Sequence, residues 1–521
     1  MNTALRIEIA MKVMNMTEIA FRRRFERSRI SRPTRWMFAD ISIILPGDGW
    51  TAIEATFISV MSRKFTVMPP IKIMNVFLGS KARRGWPYPG YDYLGRAREW
   101  IAELEDLKSG LSFPVEFVNE TASTMDDVRR IEKEMEDVDA ILVYILTSES
   151  TRFTYLASKA IARFGYDHIH KYGGYDVPTI YVVDLYGGDI SALPLVEDLK
   201  NIGKKFLMIS SSRTSDIARA LKCIYTLKML RNSRVLLITK REANPAKYLS
   251  PEYISRIKEK FGTDVRYVDY TDVLKLYNEV DDEEAEKLAK KIFEGAREIR
   301  EPSFEDLVKA TKMYYALKKL MSENNANAAA IDCLGWLEYD KTPMPMTPCI
   351  ALSLLNSEGF VAACEADLHS AITMLIFRYL AGEPSFISDP VIDTARNVVI
   401  HCHCTAPIKF GRRDNPYILR SHSDSGWGVG IQVLVEKGIE VTVAKIIRGL
   451  EEMVTSTGKV SGNVDVDRGC RTKIEVEVKD AEKYLYGFRG GLHRVLAAGD
   501  HLKELEMLGK LIGYKLTLEG E

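Results

Sequence analysis

Residues 359–374 read GFVAACEADLHSAITM. The apolar run up to Cys364 suits a short buried strand. Beyond it Leu368, Ala371, Ile372, Leu375 and Tyr379 recur at helical spacing, and Gly382 supplies a stop. This is a strand, a turn and a helix, with Glu365 at the turn. Such a turn belongs at the carboxyl edge of a parallel sheet, where ligands bind. Two readings of Glu365 stand side by side. It favours the helix N-terminus through the dipole, or it is a ligand or proton carrier in a site.

Working upstream, short apolar strands alternate with helical stretches. TIYVVDL, KKFLMIS, SRVLLITK, DVRYVDY, NAAAIDCL and GFVAAC are separated by runs such as SDIARALKCIYTLKML and FEDLVKATKMYYALKKLM. Further upstream, IKIMNVFLGS, PVEFVNE and VDAILVYIL form a similar series, and the Gly- and Pro-punctuated HKYGGYDVP (170–178) reads as a linker. Alternation of this kind means parallel sheets covered by helices. Downstream of residue 383 the texture changes: RNVVIHCHC, YILRSH, GVGIQVLVEKG, EVTVAKII and KIEVEVKD are strands with Gly and Asn/Asp turns. The expected fold class is α/β: two Rossmann- or flavodoxin-like parallel-sheet domains, 71–173 and 174–382, followed by a β-rich antiparallel C-terminal domain, 383–521. A last helix is expected over HLKELEMLGKLIG, with Asp500 as its cap. Residues 1–70 read as an extension outside the core fold. FRRRFERSRISRPTR holds seven arginines in fifteen residues without core periodicity, and Met61 and Met68 are alternative starts.

The chain has 521 residues, which suggests two to four domains. Lys+Arg and Asp+Glu each number 72, so the formal charge of zero gives no reason to expect nucleic acid as a partner. No apolar run reaches the roughly 18 residues of a membrane span. Seven cysteines do not make a disulfide scaffold, and a cytoplasmic location is expected. Six of the eight histidines (His369, His401, His403, His422, His493, His501) lie in the C-terminal third.

That third carries the candidate chemistry. Asp389 follows SFIS and precedes Pro390, which favours extended backbone. In VVIHCHC, period-two alternation puts His401 and His403 on one face and Cys402 and Cys404 on the other. His493 opens RVLAAG. Two carboxylates with one or two imidazoles form an oxygen-rich set suited to Mn2+, Mg2+ or Co2+. The rival, zinc on cysteines, has only the C-x-C of CHC to use. Each residue also has an ordinary reading: Asp389 as a turn residue, His401 as a core histidine, Cys402 and Cys404 as small buried apolar groups. The aromatic RRGWPYPGYDYLG (83–95) reads equally as a sugar-stacking loop or a plain turn.

From about residue 71 onward the chain resembles the L-fucose isomerase / L-arabinose isomerase superfamily, in its fucose isomerase-like branch. The resemblance rests on MNVFLGSKARRGWPYPGYD, AIDCL, TPCIALSLLNSEGFVAACEADLHSAITM, SDP, HCHCTAP, LRSHSDSGWGVGIQV, GCRTKIEV and HRVLAAGD, in that order. It implies a metal-dependent aldose–ketose isomerase of an unphosphorylated sugar such as L-fucose or D-arabinose. It places a Mn2+ site between the second α/β domain and the C-terminal domain. Glu365 and Asp389 would be catalytic and metal-binding, and His493 a ligand. His403 would be a further ligand, with His401 as its substitute. Arg420, His422 and Trp427 are candidates for holding sugar hydroxyls. The resemblance also implies a homotrimer or homohexamer in which a neighbour's first domain closes the site. A non-catalytic sugar-binding or regulatory protein on the same scaffold is the alternative, as is an isomerase of another aldose, sulfonated or deoxy.

Overall fold

Five strands run parallel in the first sheet of the structure, a computed structural model. It describes residues 70–521 apart from 81–84, 125, 128–129, 132–137, 150–170, 173–174, 202, 240–249, 336–344 and 448. The arginine-rich tract and the proposed extension lie outside the described residues. The strands are β1 (Ile71–Leu78), β2 (Val115–Ala122), β3 (Ala140–Ile145), β4 (Thr179–Val183) and β5 (Leu207–Ile209), in the order β2-β1-β3-β4-β5. Every residue of β3 and β4 is buried, as expected of strands covered on both faces. The pairing crosses the boundary expected at 173/174. The strands TIYVV and LMI, assigned from sequence to the second domain, pair in the first sheet, with Ile141 to Ile145 opposite Thr179 to Val183. Gly and Pro mark a loop at 170–178; they do not say which sheet the next strand joins.

The second sheet holds β6 (Arg234–Ile238), β7 (Asp264–Val268), β8 (Ala328–Ile331) and β9 (Val361–Cys364), all parallel in the order β7-β6-β8-β9. The helices α1 (Ser215–Arg231) and α2 (Leu368–Ala381) pack on each other, with Tyr225 edge-on to Tyr379 at 6.5 Å. Residues from both sheets and both helices share one apolar cluster, which explains why the two sheets do not separate into independent cores.

The C-terminal strands are β10 (Phe386–Asp393), β11 (Val398–His403), β12 (Tyr417–Arg420), β13 (Gly430–Val433), β14 (Glu440–Ile446), β15 (Glu452–Asn463), β16 (Thr472–Glu477), β17 (Arg494–Ala498) and β18 (Lys515–Leu518). The ring β14-β17-β10-β11-β16-β15 closes through the pairing of β15 with β14, entirely antiparallel. Closure leaves no unpaired edge within the ring, and β18 adds to β15 in parallel. The expected β-rich unit is therefore a barrel-like sheet. The expected terminal helix spans Leu502–Ile512; His501 holds its cap position, while Asp500 Oδ1 accepts from Leu502 N at 3.0 Å.

Candidate metal centre

At the end of β9 the chain turns abruptly. Glu365 and Ala366 both have left-handed backbone, with φ of 58° and 52°. Two successive non-glycine residues there are strained, of order 1–3 kcal/mol each. The turn is held by Ala366 N donating to Ile331 O at 2.9 Å and by Asp367 Oδ1 accepting from Ser370 N at 2.9 Å. Helix α2 is thus capped by Asp367. The helix-cap reading of Glu365 is set aside, and its carboxylate is turned toward the barrel.

Three barrel residues meet it. Asp389 is inside β10, not at a strand end, because the strand continues through Pro390 to Asp393. Pro390 lies opposite His401 of β11 and beyond the pairing with β17, which covers only residues 386–388. Extending the register of Ser388 with Arg494 brings Asp389 beside His493. His403 ends β11. His493 Nε2 lies 3.3 Å from Asp389 Oδ1 and 3.4 Å from Glu365 Oε2, and His403 Nε2 lies 3.7 Å from Glu365 Oε1. One donor atom from each of Glu365, Asp389, His403 and His493 falls within 4.8 Å of all the others. Donors around an ion bound at roughly 2.0–2.3 Å are separated by about 3–4.5 Å, so the set is of the right size.

The decisive feature is what these atoms lack. Among the described residues, Asp389 Oδ1, His403 Nε2 and His493 Nε2 are all buried without a hydrogen-bond partner. Buried polar atoms are ordinarily satisfied, because leaving one unpaired costs about 1–3 kcal/mol. Three converging on one point mark a place built for something else.

The electrostatics agree. Burial works against a charged Glu365, yet the nearby imidazoles of His403 and His493 hold its carboxyl well below the usual range. Burial also disfavours a charged His493, but its contacts with Asp367 and Glu365 prevail and raise it to about 9. The pocket therefore favours a cation. Burial raises Asp389, against the opposing pull of the two histidines.

The histidines are not equivalent. His493 Nδ1 is 2.8 Å from Asp367 Oδ2, so in the neutral ring Nδ1 carries the proton and the Nε2 lone pair faces the cluster. His403 Nδ1 accepts from Cys404 N at 3.0 Å, which puts the proton of the neutral ring on Nε2. His493 is thus prepared as a ligand and His403 as a donor aimed into the site. His401 is not brought in: its Nδ1 meets Ser388 Oγ at 2.9 Å, and burial and Arg494 lower it to about 3.

Of the residues expected to hold substrate, Arg420 is committed elsewhere. Its guanidinium meets Glu301 through Nε to Oε2 at 2.8 Å and Nη2 to Oε1 at 2.7 Å, and also meets Asp467 at 2.7 Å and Gln432 at 3.0 Å. The sequence pattern shows an arginine on a strand but not the carboxylates that claim it. His422 and Trp427 belong to a loop that borders the site. Its Ser423 Oγ lies 3.6 Å from both Cys404 Sγ and Cys470 Sγ, and Cys470 Sγ is 3.9 Å from Asp389 Oδ2. His422 Nδ1 is within 3.0 Å of Ser425 Oγ, and Trp427 is partly exposed. Sequence reading missed Asp367 and Lys445. Asp367 was legible as a polar residue before α2. Lys445 was legible as the one charge in the interior of the run VTVAKII.

Among curated proteins the chain is similar to sulfoquinovose isomerases. It is 28% identical over 139 residues to that of Clostridium sp. (strain MSTE9), covering 26% of this chain and 30% of the relative. To that of Alkalicoccus urumqiensis it is 27% identical over 187 residues, or 35% and 40%. To that of Priestia aryabhattai it is 33% identical over 104 residues, or 20% and 23%. The chain thus spans from about a quarter to two fifths of the length of these relatives. No family model matches. Solved structures with partial similarity include AraP, an arabinose binding protein from Geobacillus stearothermophilus (14% identity, TM-score 0.14, 60% of this chain and 88% of that one). A sugar ABC transporter sugar-binding protein from Bacillus halodurans is similar to the same degree (14% identity, TM-score 0.14, 62% and 91%). Among the described residues no helix is long and apolar enough to cross a membrane.

Proposed function

We propose that this protein is a metal-dependent aldose–ketose isomerase whose divalent cation, Mn2+ in the first instance, is held by Glu365, Asp389 and His493. The observation that carries the reading is the convergence of buried, unpartnered Asp389 Oδ1, His403 Nε2 and His493 Nε2 on the Glu365 carboxylate. A protein that only reads hydroxyls does not need four metal-type donors gathered within 4.8 Å of one another. The partial similarity to sugar isomerases points the same way.

When bound, the cation would hold the two sugar oxygens and offset the charge that develops as a proton moves between C1 and C2. Asp389, the carboxyl that burial keeps more ready to hold a proton, would accept it from one carbon and return it to the other. Glu365 stays charged and anchors the site. His403 Nε2–H would donate to a sugar oxygen, and the strained turn at Glu365–Ala366 keeps the carboxylate in place. His422 and Trp427 would border the sugar from the loop. Assembly as a trimer or hexamer and a cytoplasmic setting belong to the same proposal. The relatives' name puts a sulfonated aldose beside L-fucose and D-arabinose as substrate; Arg420 and Lys445 are both engaged by carboxylates, so other groups would have to meet a sulfonate. The test is ketose formation from a panel of aldoses, sulfoquinovose included, by chelator-treated protein with and without Mn2+. Turnover that requires Mn2+ supports the reading; no turnover on any aldose with metal bound defeats it.

A further inference from the structure

Lys445 lies in β14 among Val441, Val443, Ala444 and Ile446, all buried, and is itself only 3% exposed. An ammonium placed there costs several kcal/mol unless it is paired. Its Nζ is bonded to Asp367 Oδ2. The same oxygen accepts His493 Nδ1–H at 2.8 Å, and Oδ1 caps α2 through Ser370 N at 2.9 Å. One carboxylate thereby joins the strand–helix turn that carries Glu365, a barrel strand, and the imidazole whose other nitrogen opens onto the cluster. Capping alone does not call for a buried cation: Ser250 caps the helix Pro251–Phe261 with a neutral hydroxyl. Another buried cation, Arg494, is committed to Glu519 at 2.6 Å.

We propose that Lys445 tunes the site through Asp367: its buried charge offsets part of the negative charge that a divalent cation at the cluster would otherwise feel, while Asp367 itself orients His493. This rests on the metal reading above. The two halves of the ion pair then act with opposite sign. Asp367 supports the ligand and adds negative charge, so its neutralisation weakens the ion. Lys445 subtracts from the attraction, so its neutralisation strengthens it. A pair that served folding alone would show no such opposition.

The experiment is a calorimetric Mn2+ titration of the full chain after chelator treatment, with Mn2+ paramagnetic resonance as a second readout. The proteins are the parent, Lys445→Met, Lys445→Gln, Asp367→Asn and the double variant Lys445→Met/Asp367→Asn. Asp367→Asn should bind Mn2+ ~10–100-fold more weakly. Both lysine variants should bind at least several-fold more tightly, as Coulomb attraction at short range requires, and the double variant should fall between. The glutamine variant guards against poor folding of the methionine one. Weaker or unchanged Mn2+ binding in both lysine variants, with a parent that binds normally, overturns this inference and leaves the metal reading intact. A parent that takes up no Mn2+ overturns both.

Discussion

Several carboxylates directly follow a parallel strand among the described residues, and two of them, Asp184 and Glu365, differ sharply in their surroundings. Asp184 follows β4 at the carboxyl edge of the first sheet, and Glu365 follows β9 at the carboxyl edge of the second. Asp184 is closed: Arg96 donates from Nε and Nη2 at 2.9–3.2 Å, and Trp100 Nε1 donates at 3.1 Å. Glu365 instead faces histidine nitrogens at 3.4 and 3.7 Å that have no hydrogen-bond partner among the described residues. Sheet-edge position offers an opportunity; the state of the surrounding donors decides whether it is used. The same contrast recurs two residues apart on β11, where His401 is satisfied by Ser388 and His403 Nε2 is not.

The largest effect expected from breaking this contrast is at the carboxylates. Glu365→Gln and Asp389→Asn should each lower turnover by ~10²–10⁴-fold, and their losses should not add, because the residues act as one unit. A double variant no worse than either single one, in steady-state kinetics at saturating Mn2+, is the expected result.

Next come the two histidines. His493→Ala should act mainly through the ion, so raising Mn2+ should recover part of the rate. His403→Gln should keep Mn2+ affinity within several-fold of the parent while turnover falls by ~10²-fold, since its proton-bearing Nε2 is a donor. Equal losses of affinity in the two variants would contradict the tautomer argument. Acidification should release the ion as ligands protonate, measured as bound metal against pH.

Smaller effects belong to the closed partners. Asp184→Asn should leave turnover and metal content unchanged and cost about 1–3 kcal/mol of stability, because Arg96 and Trp100 lose a charged acceptor. His401→Asn should cost about 1 kcal/mol through the lost Ser388 contact, with turnover nearly that of the parent.

Much of this was legible in the sequence, because period and punctuation report local structure directly. The run GFVAAC followed by helical spacing placed Glu365 at a sheet edge, and the texture change after 383 announced antiparallel strands. Sheet membership was not legible: TIYVV is as suited to one parallel sheet as to another, and only pairing with Ala140–Ile145 decides. The candidate site residues were named one by one, but His403 could not be told from His401, since alternation gives them the same face. What separates them is a hydrogen bond to Ser388, thirteen residues away. The pairing of Arg420 was hidden for the same reason: Glu301, which it meets, is 119 residues distant in the chain.

The central claim is that Glu365, Asp389 and His493 hold one divalent cation. Its most direct test is bound metal per chain after dialysis against Mn2+, measured by elemental analysis for the parent and for Glu365→Gln, Asp389→Asn and His493→Ala. The account predicts one ion per parent chain and a marked loss in each variant, with Asp184→Asn retaining the parental content. Parental metal content in all three site variants, or none in a folded parent, would contradict it.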